Sequence, residues 1–245
     1  MRPALIAVTA LLLPVVLSAQ ARRYSLEAVA GLRLHNVAAE PATLDGKKGV
    51  RVTISPEIVR QAPTMTPEQR NQIEPLAVIE GVEFSNGVIE AEIAGLPAPG
   101  AGEGARGFVG IAFRLQPDLR TYDAFYLRPT NGRAEDQERR NHATQYISHP
   151  DWPWFRLRQE TPGKYESYVD LVPGVWTKIK IEVSGNRARL FVHDNPHPAL
   201  IVNDVKSGVS ARGGVALWIG PGTVAHFRNL TVTPVESTTP ARPGS

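Results

Sequence analysis

The chain contains no cysteine. Disulfides, thiol nucleophiles and Cys-based zinc sites are therefore excluded, and the fold must stand on its own core, for which the length suffices. Charge of a dominant sign is also missing: 27 Lys and Arg against 24 Asp and Glu leave a net +3. So small a balance argues against nucleic acid as a partner and against a general membrane-surface role. Long apolar runs are lacking except at the start. There, Arg2 precedes an apolar stretch over residues 4–17, broken by Thr9 and Pro14, and Ala19-Gln20-Ala21 supplies a small-x-small cleavage pattern. This reads as a signal peptide over residues 1–21, too short to be a permanent anchor. The expected product is secreted or periplasmic, bacterial, and without an integral membrane anchor after cleavage. Residues 234–245 carry three prolines and no apolar period, the composition of a disordered tail. A single domain is expected over 22–233.

What is present is strand periodicity. In residues 176–183, Thr177, Ile179, Ile181 and Val183 alternate with Lys178, Lys180 and Glu182, as in a half-buried strand. A turn at Ser184-Gly185-Asn186 leads into a second alternation, with Ala188, Leu190 and Val192 on one face, which predicts a hairpin. Similar runs occupy 50–54, 88–93, 108–115, 124–127, 144–147, 167–171, 215–219 and 225–232, separated by Gly, Pro and Asn clusters. No βαβ pattern and no internal repeat interrupts them. Many short strands with frequent turns predict an all-β sandwich or barrel. One segment reads as a helix: Thr66 as N-cap, Pro67 at the first position and Gln69 at the third, inside a polar surface excursion over 56–75. A second charged excursion covers 133–141, helical or irregular.

Three sets of residues resemble a known group. They are Phe84-Ser85-Asn86-Gly87-Val88-Ile89-Glu90-Ala91-Glu92, the hairpin opening at Pro173-Gly174-Val175-Trp176-Thr177, and Gly214-Val215-Ala216-Leu217-Trp218 followed by Ala225-His226-Phe227-Arg228-Asn229-Leu230. These are similar to strands of the concanavalin A-like lectin/glucanase superfamily, and the closing pair resembles 3-keto-disaccharide hydrolase (DUF1080-type) domains. The resemblance implies a concanavalin A-like jelly-roll sandwich of two antiparallel sheets, one curved, with ligands on the concave face or its rim. It covers about residues 84–232 and implies carbohydrate as the partner. Lectins, glycoside hydrolases and lyases share such folds, so the fold leaves the chemistry open.

Candidate catalytic residues are Glu90 and Glu92. Two apart on a strand, they share a face with Cα atoms roughly 6.6 Å apart, within reach of the ~5–5.5 Å carboxyl spacing of a retaining glycosidase. Family 16 glycoside hydrolases carry Glu-x-Asp-x-(x)-Glu on one strand. Here Glu90-Ala91-Glu92-Ile93-Ala94-Gly95 has Glu for Asp and no third acid. The alternative is a solvent-facing pair of ordinary carboxylates. His142 is the candidate base for a keto-sugar elimination.

A second constellation spans 122–158, where Tyr, Phe and Trp interleave with Arg, Asn, Gln, His142 and His149. Sugars offer apolar CH faces and polar rims, which aromatic plates beside Arg, Asn and Gln suit. Tyr126, Arg128, Asn141, His142, Trp152, Trp154 and Arg156 are therefore the expected sugar contacts, the last three on a Pro-punctuated loop. His226 and Arg228 would join Glu90 and Glu92 if their strand face is the concave one. Over 106–158, nine Arg face six Asp and Glu, an excess that favours an acidic or sulfated glycan. The alternative is that Trp152 and Trp154 plug one end of the sandwich.

His142, His149 and Asp151, and His193, Asp194 and His197, lack the spacing of a zinc site, so neither metal nor cofactor is assigned. The resemblance leaves room for structural Ca²⁺ at Asp194-Asn195 or Asp45-Gly46. The functional readings are thus a carbohydrate-binding or carbohydrate-active domain, a glycoside hydrolase acting on glycans or keto-disaccharides, and a non-catalytic envelope interaction module.

Overall fold

The computed structural model describes residues 20–235; the expected signal peptide up to residue 19, and the tail from 236, lie outside the described residues. Two antiparallel sheets make the fold, as the resemblance implies, and resolve the periodicity's choice between sandwich and barrel. The first holds β1 (Arg22–Tyr24), β3 (Val37–Leu44), β4 (Lys47–Ile54), β6 (Gly87–Pro97), β11 (Thr177–Ser184), β12 (Arg187–Val192), β13 (Leu200–Val202) and β15 (Thr223–Pro234). Their order is β13-β12-β11-β6-β15-β4-β3, with β1 also paired to β15. The second holds β2 (Leu32–His35), β5 (Leu76–Ile79), β7 (Val109–Leu115), β8 (Tyr122–Leu127), β9 (Thr144–His149), β10 (Glu166–Ser167) and β14 (Gly214–Ile219), in the order β10-β9-β8-β7-β14-β5-β2.

The β11–β12 hairpin forms as its alternation dictates, with Ile179 opposite Val192 and Ile181 opposite Leu190. β7 and β8 behave differently: every residue in both is buried. One face of each lies on the inter-sheet core, where Phe84, Phe113, Phe125 and Tyr146 form a chain of ring contacts at 5.5–6.2 Å. The other face is roofed by loops and short helices, and the cleft described below lies between floor and roof.

Helices exceed the one expected. α2 (Pro67–Asn71) has the predicted capping box, Thr66 and Gln69 bonding each other's backbone. α1 (Pro56–Gln61) precedes it, and α3 (Gln137–Asn141) forms within the charged excursion. α4 (Trp154–Glu160) corrects the expected loop: Pro153 stands at its N-cap, Leu157 is buried, and Arg156 pairs with Glu160 one turn on at 2.7 Å. The strand expected over 167–171 is also corrected. It is paired at Glu166–Ser167, then leaves the sheet edge, and Asp170 is held by Arg133 at 2.7 Å. Among the described residues, no helix is long and apolar enough to cross a membrane.

Candidate functional site

The outer face of the second sheet carries one transverse row of side chains. Strand register aligns Trp218, Gly110, Tyr126, Gln145 and Glu166 across β14, β7, β8, β9 and β10. Gly110 is essential to the row. A Cβ there would lie 2.6 Å from the Tyr126 Cβ and 2.2 Å from the Phe125 carbonyl. Without one, Trp218 and Tyr126 stack across it, ring centroids 4.6 Å apart and 27° from parallel. The next row, Ala216, Ala112, Ala124 and Ile147, is low, so the floor stays open. Above it is a cleft of about 960 Å³, walled by α4, the segment around Glu74, the turn at 101–106 and α3.

One end of the row is a buried ionic cluster. Arg128 donates to Glu166 Oε1 at 3.1 Å, to the Tyr126 hydroxyl and Gln145 Oε1 at 2.9 Å each, and to the His142 carbonyl at 3.0 Å. Arg158 binds the same carboxylate through both Nε and Nη2. Burial opposes ionisation of Glu166. The Arg158 hydrogen bond and the charges of Arg128 and Arg158 outweigh it, holding this carboxyl below the usual glutamate range. His142 Nδ1 lies 2.8 Å from Glu166 Oε2, yet neither ring nitrogen makes an aligned hydrogen bond. The contact is therefore an electrostatic approach. Burial lowers the His142 pKa and the pull of Glu166 does not restore it, so the ring is neutral at neutral pH. Arg158 lies 4.8 Å and Arg128 6.0 Å from the Trp154 ring, presenting that half-exposed indole along the cleft wall beside Phe155.

The opposite wall holds a proton-carrying network. Tyr122 donates to the buried Glu74 Oε2 and accepts from Trp218 Nε1 at 3.0 Å. Burial and the Glu74 charge push the Tyr122 pKa far up, so the phenol keeps its proton. His149 Nδ1 is 2.9 Å from Glu74 Oε1 and 3.1 Å from the Tyr122 oxygen. The carboxylate can only accept and the phenol proton is committed to it. Nδ1 must therefore carry the imidazole hydrogen, leaving Nε2 as the basic nitrogen of a ring that lines the cleft.

No protein-family model matches the chain, and no curated protein matches its sequence. Similar solved structures include the carbohydrate binding module CBM66 from Bacillus subtilis, with 11% identity, TM-score 0.49, and 82% of this chain and 98% of that one covered. Domain 4 of AbnA, a GH43 extracellular arabinanase from Geobacillus stearothermophilus in complex with arabinotriose, has 14% identity, TM-score 0.41, and coverage of 89% and 84%. A Bacillus licheniformis β-glucanase has 12% identity, TM-score 0.42, and coverage of 87% and 97%. At these identities and scores, no residue role passes to this chain.

Of the residues expected to meet sugar, Tyr126, Arg128, His142 and Trp154 converge on the cleft. Asn141 does not line it: at the exposed end of α3 it accepts from Gln137 at 2.8 Å. Trp152 is half-buried against the core and lies within 4.1 Å of Arg156 and 4.6 Å of Lys206, and Arg156 is drawn to Glu160 and the Asp151 carbonyl. Glu90 and Glu92 do share a face, as their spacing predicts, but β6 belongs to the first sheet, so they point away from the cleft. They line a separate depression of about 440 Å³ with Lys178, Lys180 and Asn229. Glu92 accepts from Asn229 at 2.7 Å and sits beside Lys47 and Arg228. His226 and Arg228 lie on that same sheet, and the His226 ring packs edge-on to Trp176. Burial, then the Arg51 charge, lowers the His226 pKa.

Asp194 is paired with Lys178 at 2.7 Å, and Asp45 occupies the tight β3–β4 turn. Among the described residues, no group of three or more His, Cys, Asp or Glu is placed to hold a metal ion. Sequence reasoning missed Glu74, Glu166 and Trp218 as parts of the site. Trp218 carried a signal, being an aromatic on an otherwise aliphatic strand; the two glutamates carried none, because their partners are remote in sequence.

Proposed function

We propose that the chain binds carbohydrate in the cleft of the second sheet, in an exported bacterial protein as the N-terminal pattern suggests. The observation that carries this reading is the row Trp218–Tyr126 with Gln145, Arg128 and Glu166 at its end, under the exposed face of Trp154. Flat aromatic surface beside fixed donors and acceptors in a concave site matches the apolar faces and hydroxyl rim of a sugar. Trp154→Ala is expected to weaken glycan affinity about tenfold, roughly 1.4 kcal/mol. Its thermal midpoint should barely move, because the indole is 43% exposed. Calorimetric titration with a panel of oligosaccharides, beside thermal unfolding, tests this. A sharp fall in midpoint with unchanged glycan affinity would make Trp154 a plug of the sandwich instead.

A second reading, a carbohydrate-active site, is favoured by the Glu74–His149 pair. A basic Nε2 on a ring held by a buried carboxylate is equipped to take a proton from bound sugar or water. His149→Ala is then expected to lower product release from a susceptible polysaccharide or 3-keto-disaccharide by about 10²-fold or more. Sugar binding should change little, and Glu90→Gln and Glu92→Gln should be near wild type. Equal activity of His149→Ala and wild type would remove His149 from the chemistry.

A further inference from the structure

We propose that one end of the cleft, at Arg106 and Arg139, receives the anionic substituent of an acidic sugar, a carboxylate or a sulfate. The inference rests on the carbohydrate reading and specifies its ligand class. The two arginines are half-buried, line the cleft, and meet at Thr130: its N–H donates to the Arg106 carbonyl at 3.3 Å, and its hydroxyl accepts from Arg139 Nη2 at 3.2 Å. Of the other cleft arginines, Arg128 and Arg158 share the carboxylate of Glu166, and Arg70 is exposed to solvent. Arg106 and Arg139 have no such partner. Arg139 is steadied by the side-chain oxygens of Asn131, at 3.0 Å, and Thr130. Arg106 Nη1 reaches the backbone carbonyls of Glu103 and Ala105. All of these acceptors are neutral, and they leave guanidinium donors of both residues unspent.

Three acids, Glu103, Asp136 and Glu138, stand in the same region, and none is ion-paired with either guanidinium. Asp136 caps α3 by accepting from the Arg139 backbone N–H at 2.8 Å. The Glu138 side chain is 89% exposed and approaches His142 Nε2 no closer than 3.9 Å. Among the described residues, no carboxylate lies within ion-pair distance of either guanidinium, although most other arginines of the cleft and core have one. Burial, then the charges of Arg139 and Arg128, lower the Arg106 pKa, and the smaller opposing pull of the Glu103 charge does not restore it. A guanidinium does not lose its proton at such a site, so the excess positive potential is relieved by an incoming anion. The planar fork of arginine suits the paired oxygens of a carboxylate or sulfate.

The test is calorimetric titration of the full chain with matched oligosaccharides: galacturonate against galactose, glucuronate against glucose, mannuronate against mannose, and sulfated forms of the neutral three. At low salt, an acidic member should bind at least tenfold tighter than its neutral match, and the preference should shrink in 0.5 M NaCl, at a Debye length of about 4–5 Å. The uronate and sulfate arms distinguish the two anions. Arg106→Gln and Arg139→Gln should each remove about tenfold of the acidic affinity and leave the neutral affinity intact, with Arg106→Lys intermediate and thermal midpoints near wild type. Equal binding of acidic and neutral members overturns the inference while preserving the carbohydrate reading. So does an equal loss of both in the variants. If no member binds, the carbohydrate reading falls and takes the inference with it.

Discussion

Arg114→Ala is expected to cost the fold about 3–5 kcal/mol, the usual penalty for stranding one member of a buried ion pair. The Arg114 side chain is fully buried, 3.9 Å from the equally buried Asp123 carboxylate. Its guanidinium donates to the carbonyls of Ser85, Gly208 and Gly185 at 2.8–3.0 Å and to the Ser207 hydroxyl at 3.0 Å. Those acceptors lie in three separate segments, at the ends of both sheets, so one side chain ties the sandwich closed. Alanine would leave three carbonyls without their donor and the Asp123 carboxylate without its counter-ion. Burial pushes the Asp123 pKa up, against hydrogen bonds from Ser207, Tyr146 and Ser148 and the charge of Arg114. Removing Arg114 pushes it further. A carboxyl whose folded pKa is raised loses stability as pH rises from its unfolded value, about 3.9, through the folded one. The deficit should therefore be largest at neutral pH. Urea unfolding of both proteins at pH 7 measures it, and against a total of about 5–15 kcal/mol the loss should be plain. A loss under about 1 kcal/mol would show that the network contributes little.

Arg114 also shows why some of this molecule was legible in the sequence and some was not. Alternation places Val109, Ile111 and Phe113 on the core face of β7 and would send Arg114 to the other side. A left-handed backbone at Arg114 (φ 56°) and a register shift at Gly214/Val215 break the pattern and bury it. Sequence pattern and structure agree where local physics decides: at the β11–β12 hairpin and the α2 capping box. That Glu90 and Glu92 share a face was equally local. Which way that face points depends on β6 lying between β11 and β15, partners almost a hundred residues or more away. The cleft has the same origin. Trp218, Gly110, Tyr126, Gln145 and Glu166 become neighbours through the pairing of five strands. The segment 122–158 supplies most of its aromatics and arginines, whereas Glu74 and Glu166, which organise them, look like any exposed glutamate until the sheet is assembled.

Glu166→Gln probes that organisation and carries the second large expected effect. Arg128, Arg158 and His142 all approach this one carboxylate, whose side chain is 2% exposed. A neutral amide matches the size but leaves Arg128 without its counter-ion, so a loss of about 3 kcal/mol or more is expected at pH 7. The sign of its pH dependence follows from the direction of the shift. The folded Glu166 pKa lies below the unfolded value of about 4.3, so its contribution is complete above that pH and is lost as pH falls through the lower folded value. Wild type and variant should therefore differ most near neutrality and converge in acid, which paired urea titrations at pH 7 and below pH 4 would display. A gap that stays constant across that range would mean that shape, not ionisation, makes Glu166 important. The variant should also bind glycan more weakly. Arg128 reaches the Tyr126 hydroxyl and Gln145 from the position Glu166 gives it, and Arg158 holds Trp154 to the wall through the same carboxylate, so one charge sets both the polar end and the aromatic side of the cleft.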